Sequence, residues 1–218
     1  YICPVGTVQD LLSKARNAMH IKGIKVANGS VLDKVLRIVK YALVFWIFYM
    51  TVNASELFCK NLDPYYAIAT GFKGEITLWM SIVSISVVVI GSFVIDMFWC
   101  RYLCPLGAIS NSLKFWMWIG VLFGAYYVAD VIGADIPWAV LLGAFCIVGY
   151  VLEIANSKPK FQILHVTKDD NVCNNCGLCA KKCPYHIDIK SFHAGKVNHV
   201  DCTLCGECTA ACRTGALK

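Results

Sequence analysis

Charge is scarce in this sequence of 218 residues: Asp, Glu, Lys and Arg make up 16% of it, against 58% hydrophobic residues. An ordinary soluble domain carries about a quarter of its residues as charges, so a wholly soluble globular protein is excluded. The deficit is uneven. Charges gather in residues 9–40 and 157–218, and the long stretches between them hold almost none. No CxxCH string is present, which excludes a covalently attached c-type haem. The basic, apolar and small-residue succession of a signal peptide is also missing, and position 1 is Tyr rather than Met. Both ends therefore read as cut, with a further membrane span expected ahead of Tyr1. The net charge of +6 suits basic loops at a cytoplasmic membrane face, and nothing points to nucleic acid.

Cysteine, by contrast, is abundant, with 13 residues. Eight lie in two runs, Cys173-x2-Cys176-x2-Cys179-x3-Cys183-Pro184 and Cys202-x2-Cys205-x2-Cys208-x3-Cys212. Three closely spaced thiolates bend round one cubane cluster, and the fourth cysteine of each run reaches the other cluster. The pattern predicts cluster A on Cys173, Cys176, Cys179 and Cys212, and cluster B on Cys202, Cys205, Cys208 and Cys183. A zinc site wants two CxxC pairs and leaves the third and fourth cysteines of each run unexplained. Disulfides fit poorly, because thiols two residues apart are awkward partners and both runs repeat one ligand pattern. Short strands expected at 187–189 and 196–198, with a bend at Gly195, complete a small α+β domain over residues 157–218. Its core is largely the two 4Fe–4S clusters themselves.

Residues 1–156 read as a helical membrane domain. Apolar runs at about 36–54, 76–99, 115–132 and 137–156 are long enough, or nearly so, to cross a hydrocarbon core of roughly 30 Å. The last two join through Asp130, Asp135 and Pro137 as a hairpin. Lys14, Arg16, Lys22, Lys25, Lys34, Arg37 and Lys40 precede the first span, Arg101 and Lys114 follow the second, and Lys158 and Lys160 follow the fourth. The positive-inside rule puts all three segments, and so the ferredoxin-like tail, on the cytoplasmic side of an inner membrane. Val8, Leu11, Leu12, Ala15 and Met19 recur at helical spacing over 7–20. That helix rests either on the membrane interface or on its own protein. The expected fold is mainly α: a polytopic transmembrane helical domain with a small α+β two-cluster domain.

A second cysteine motif is duplicated. Cys100-Arg101-Tyr102-Leu103-Cys104-Pro105-Leu106-Gly107 ends the second span, and Tyr1-Ile2-Cys3-Pro4-Val5-Gly6 opens the chain. Tyr1, Cys3, Pro4 and Gly6 align with Tyr102, Cys104, Pro105 and Gly107, and Val8 and Leu12 with Ile109 and Leu113. Cys100 and Cys104 are four apart, which stacks them on one helix face. Pro105 disfavours helical geometry at Cys104, where the helix is expected to stop. Packed about a pseudo-two-fold axis, the motif thiols Cys3, Cys100 and Cys104 would suit a soft metal or a further iron–sulfur centre. They would equally make redox-active thiol pairs, or serve as small buried hydrophobes at a helix end.

Two CxxxCP motifs at membrane-helix ends, followed by two CxxCxxCxxxC runs, resemble the NapH/NosR type of membrane polyferredoxin over nearly the whole chain. The resemblance implies an integral-membrane iron–sulfur subunit that relays electrons between the quinone pool, or a soluble donor, and a redox partner. A copper reductase or assembly factor using the CxxxCP thiols is the alternative, and a structural anchor for a larger redox complex is a third. Three departures stand out: no flavin-binding domain precedes the spans, Arg213 replaces the usual proline after Cys212, and only Cys3 of the first motif is present.

The remaining candidates read more plainly. Cys59 and Cys146 are packing cysteines, His165, His186, His193 and His199 have no partner at ligand spacing, and His20 reads as a solvated interfacial histidine rather than a group beside a quinone head. Asp96, Asp130 and Glu153 sit near span ends, where ionisable groups reach water cheaply, and no quinone site is assigned to them.

Overall fold

A computed structural model of the chain describes residues 4–21, 29–54, 78–155, 165–192 and 195–218, with 23, 24, 26, 66, 70 and 71 between them. Among the described residues seven helices come first: α1 (Pro4–Ala18), α2 (Val31–Ala54), α3 (Leu78–Val94), α4 (Phe98–Tyr102), α5 (Pro105–Leu113), α6 (Trp116–Val131) and α7 (Trp138–Ala155). A small cysteine-rich module follows, with β1 (Val166–Thr167), α8 (Leu178–Lys182), a 3-10 turn (Ile189–Ser191), β2 (Lys196–Val197) and α9 (Glu207–Ala210).

The helical part is built inside out by the standards of a soluble protein. Ser81, Ser84 and Ser92 of α3 are buried, while Trp79 on the same helix is 75% exposed. On α1 the polar Gln9 and Arg16 are buried, whereas Leu11 is 66% exposed. Apolar side chains facing outward and small or polar ones facing a neighbouring helix are what a lipid surround favours. The chain is accordingly a membrane protein. Among the described residues α2, with 24 residues, and α7, with 18, are long and apolar enough to cross a bilayer. These lengths correspond to about 36 and 27 Å. The two pack on each other, with α5 against both, and α1 packs on α3.

Two expectations need correcting. The second span does not run to residue 99. Helix α3 stops at Val94, Met97 takes a left-handed conformation (φ 54°), and α4 starts afresh at Phe98. The fold-back lays the Phe98 ring over Gly91, where a Cβ would lie 2.1 Å from the ring edge. It also carries Asp96 to Arg16 and His186. The helix bearing Cys100 ends at Tyr102 rather than at Cys104. Cys104 is extended (φ −65°, ψ 118°) and serves as N-cap of α5, whose first residue is Pro105, a position suited to a residue with no amide hydrogen. Beyond it, α5 and α6 are bent by 94° relative to each other.

In the cysteine-rich module the expected strand at 187–189 is absent. Asp188 instead accepts a hydrogen bond from the Lys190 amide and starts a 3-10 turn, an ordinary alternative that a short acidic side chain offers the backbone. The 196–198 strand forms at Lys196–Val197 and pairs antiparallel with Val166–Thr167, with Val166 opposite Val197. A bridge between Lys168 and Leu217 ties in the chain's last residues. Val166, Tyr185, Ile187, Ile189, Phe192, Val197 and Leu217 make the core, and four cysteines pack against it. Met97, from the α3–α4 break, is also part of this core.

Candidate iron–sulfur site

The two cysteine runs fold by one local rule. Asn175 and Gly177 are left-handed (φ 54° and 75°), and 29 residues later so are Leu204 and Gly206 (φ 54° and 80°). His186 and Gly215, three residues past the last cysteine of each run, repeat the same spacing (φ 52° and 67°). Left-handed residues in tight loops turn successive backbone N–H groups to one side and make anion-binding nests. Such donors are what the sulfurs of an iron–sulfur cluster accept from, and they tune its potential. The left-handed φ is what favours glycine at 177, since a Cβ there would meet only the movable end of Lys190.

Each loop lines a hollow that it shares with one cysteine of the other run. Cys173, Cys176, Cys179 and Cys212 line one of about 400 Å³, counting its open mouth. Cys202, Cys205, Cys208 and Cys183 line the other, of about 420 Å³ on the same measure. Cys183 is buried, whereas Cys176 and Cys205 reach the surface. Some of these thiols are costly to ionise: burial, then its neighbouring thiols, push Cys208 up to about 11. Burial also pushes Cys183 up. Iron ligation deprotonates such groups, so loading the hollows releases protons. Among the described residues no three His, Cys, Asp or Glu side chains group tightly enough to hold a metal ion. The chemistry of the donor set, four cysteines around each hollow, fits a cluster held by thiolates.

The CxxxCP motif lies beside these centres. Cys100 follows Met97, itself part of the cysteine module's core, by three residues. Gln9, fully buried on α1, donates from Nε2 to Cys100 Sγ at 3.3 Å and accepts the Trp99 amide at Oε1 at 3.2 Å. The motif's glycine has a steric cause, because a Cβ on Gly107 would sit 2.7 Å from the Cys100 carbonyl oxygen. Helices α1 and α5 both begin at the proline of their copy of the motif. Cys3 and Cys59 lie outside the described residues, as does His193. The convergence of Cys3 with Cys100 and Cys104 is thus not described. Cys146 is buried against α2 and α5.

What the sequence did not disclose is how the two modules join. Helix α2 presents Asp33, Arg37 and Lys40, all buried, at positions i, i+4 and i+7 of one face. Arg37 reaches across to Asp201, Nη1 to Oδ1 at 3.1 Å and Nη2 to Oδ2 at 2.7 Å, and also pairs with Glu153 of α7. Lys40 bonds Glu153 at 2.7 Å, and the Tyr41 hydroxyl donates to the same carboxylate at 2.7 Å. Asp33 accepts from Arg101 at 3.1 Å and from the Tyr102 hydroxyl at 2.8 Å. Lys114, half-buried at the α5–α6 bend, donates to the carbonyls of Val200 and Cys202. A second anchor runs from Arg16 through Asp96 (2.6 Å) to His186 Nε2 (2.9 Å). These bonds converge on His186 and on 200–202, which flank Cys183 and Cys202 of the second hollow.

Charge pairing explains the protonation states there. Burial alone would raise the Asp201 carboxyl, but the Arg37 guanidinium beside it overrides this and holds it well below the usual carboxylate range. Burial pushes His199 down despite the pull of Asp201, and its Nδ1 accepts the Asp201 amide at 3.1 Å as a neutral imidazole. The only sequence cues to this dock were the spaced charges of α2 and Glu153 in an apolar run.

Residues 172–217 match the family model for a 4Fe-4S dicluster domain, and residues 1–22 together with 77–125 match that for a 4Fe-4S binding domain. YccM of Escherichia coli (strain K12), provisionally named an electron transport protein, is 26% identical over 97% of this chain and 47% of its own length. MJ0750 of Methanocaldococcus jannaschii, an uncharacterized protein, is 25% identical over 100% of this chain and 69% of its own. The regulatory protein NosR of Pseudomonas aeruginosa is 26% identical over 50% of this chain and 15% of its own. The chain thus spans about half the length of YccM and a smaller part of NosR. No solved structure matches. The cysteine-rich module at residues 165–218 is an iron–sulfur module on a membrane protein.

Proposed function

From this kinship with the NapH/NosR-type membrane polyferredoxins, we propose that the chain is an integral-membrane electron relay. It would link the quinone pool or a soluble donor to a redox partner, with its iron–sulfur domain on the cytoplasmic face of a multi-pass inner-membrane protein. Cys173, Cys176, Cys179 and Cys212 hold one 4Fe–4S cluster, and Cys202, Cys205, Cys208 and Cys183 the other. Each cluster, when bound, takes up and gives up one electron. The protein's part is to hold, shield and place the two centres. The nests at 174–177 and 203–206 supply amide donors, and Cys183 is shielded from water by the core.

The observation that carries this reading is that the second hollow is clamped to the membrane helices through Asp201 and His186, while Cys176 brings the first hollow, and Cys205 the second, to the surface. A relay needs one station open to a partner and one fixed at the membrane edge, and this arrangement provides both. Electrons pass between clusters without bond changes in the protein, and a quinol donor would in addition release two protons to water for its two electrons.

The test is cluster reduction in proteoliposomes. Addition of a quinol, or of a reduced soluble ferredoxin, bleaches the iron–sulfur absorption of the wild-type chain. Failure of both donors to reduce a chain fully loaded with iron would contradict the relay. Iron counting with Cys100→Ser and Cys104→Ser addresses the CxxxCP thiols: eight irons, retained on substitution, confine the clusters to the tail cysteines, the count for two cubanes.

A further inference from the structure

The charges at the module boundary do not balance. Among the described residues Asp33, Glu153 and Asp201 are met by Arg37, Lys40 and Arg101, three carboxylates against three cations. Lys114 adds a fourth cation to the same boundary. Its hydrogen bonds go to backbone carbonyls, those of Val200 and, at 2.8 Å, of Cys202. A half-buried ammonium solvated by carbonyl dipoles is unfavourable unless negative charge lies nearby. Four thiolates around a cluster in the Cys183–Cys202–Cys205–Cys208 hollow supply that charge, and Cys202 is the residue whose carbonyl Lys114 holds.

We propose that Lys114 is a tuning residue for the second iron–sulfur centre, raising its midpoint potential by standing as the countercharge of the reduced state. The inference rests on the reading that these four cysteines hold a cluster. An added electron makes the cluster more negative, and a fixed positive charge in a partly dry site favours that state. The first centre is an internal control. Lys168, which lines its hollow, is paired with Asp170 at 2.9 Å, and Lys190 is exposed to screening solvent. Lys114 touches neither. The consequence is directional: the centre at the membrane edge holds the electron more firmly with Lys114 than without it, while the outer centre is indifferent.

The experiment is an EPR-monitored redox titration of the full chain in detergent, with iron counted on each sample. Lys114→Gln keeps an N–H donor without the charge, Lys114→Met removes both, and Lys114→Arg keeps the charge. The two centres are told apart by comparison with Cys173→Ser. The neutral variants lower the second midpoint by at least the equivalent of a tenfold change in its reduction equilibrium, ~59 mV for one electron. They leave the first midpoint in place, and Lys114→Arg restores the second. Unchanged midpoints in neutral variants that retain eight irons overturn the proposal. So does loss of the second cluster from both neutral variants, which would make Lys114 a purely structural clamp. A wild-type chain with fewer than eight irons is a different failure, since it removes the two-cluster reading and the inference with it.

Discussion

Arg37 and Asp201, 164 residues apart, meet as a two-pronged guanidinium–carboxylate pair with both side chains buried. Arg37 stands on a membrane helix and Asp201 immediately precedes Cys202, so one ion pair joins the bilayer part to a cluster loop. Parallel N–H···O bonds of this kind fix orientation as well as distance. The pair is therefore the mechanical link through which the position of the second hollow is set.

Removing one partner leaves buried charge behind. Arg37→Met takes the two-pronged partner from buried Asp201, leaving it only Arg101 at 3.6 Å, while Glu153 keeps Lys40 and Asp33 keeps Arg101; the expected loss of stability is about 3–5 kcal/mol. The thermal unfolding midpoint in detergent falls, and protease releases a fragment containing the cysteine runs sooner than from wild type. An unchanged midpoint would show that the dock contributes little.

The crossed grouping of the cysteines makes a sharp spectroscopic prediction. Cys212→Ser perturbs the same EPR signal as Cys173→Ser, although it sits in the other run, and Cys183→Ser perturbs the same signal as Cys202→Ser. If Cys212→Ser instead matched Cys202→Ser, each run would own its cluster and the grouping would be wrong.

Gly107→Ala tests the packing of the CxxxCP motif. Its Cβ would meet the Cys100 carbonyl oxygen at 2.7 Å, so α4 and α5 must separate. A cost of about 1–3 kcal/mol is expected from such overpacking, read as a lower denaturation midpoint. The iron content of the tail stays at the wild-type value.

Iron removal separates the modules. The cysteine-rich domain has a core of a few apolar side chains with Cys179, Cys202, Cys208 and Cys212 packed against it, and metal binding there is coupled to folding. Chelation under reducing conditions therefore unfolds that domain while most of the helical circular dichroism persists, because α2 and α7 pack without iron. A cooperative loss of the whole helical signal would contradict this.

Much of this was legible in the sequence where the chemistry is local. Cysteine spacing marked both runs, because three of the four ligands expected for one cube lie within a few residues of each other. The apolar runs marked the helices. The break at 95–97 was hidden: Phe-Val-Ile-Asp-Met-Phe-Trp is nearly continuous in hydropathy, and a left-handed methionine leaves no compositional trace. The dock was hidden for another reason. Arg37 and Lys40 read as positive-inside markers and Glu153 as an ionisable group near water. Their partners lie more than 100 residues away, so no spacing rule pairs them. Likewise His186 seemed unpartnered until the fold-back brought Asp96 to it.

The central claim, two 4Fe–4S centres on one membrane-anchored chain, is tested most directly by iron and acid-labile sulfide per purified full-length chain, together with EPR of the reduced protein. The account predicts eight irons and eight sulfides, as two cubanes require, with two signals that vanish separately on substitution of the two cysteine sets. Four irons, or stoichiometric zinc without sulfide, would contradict it.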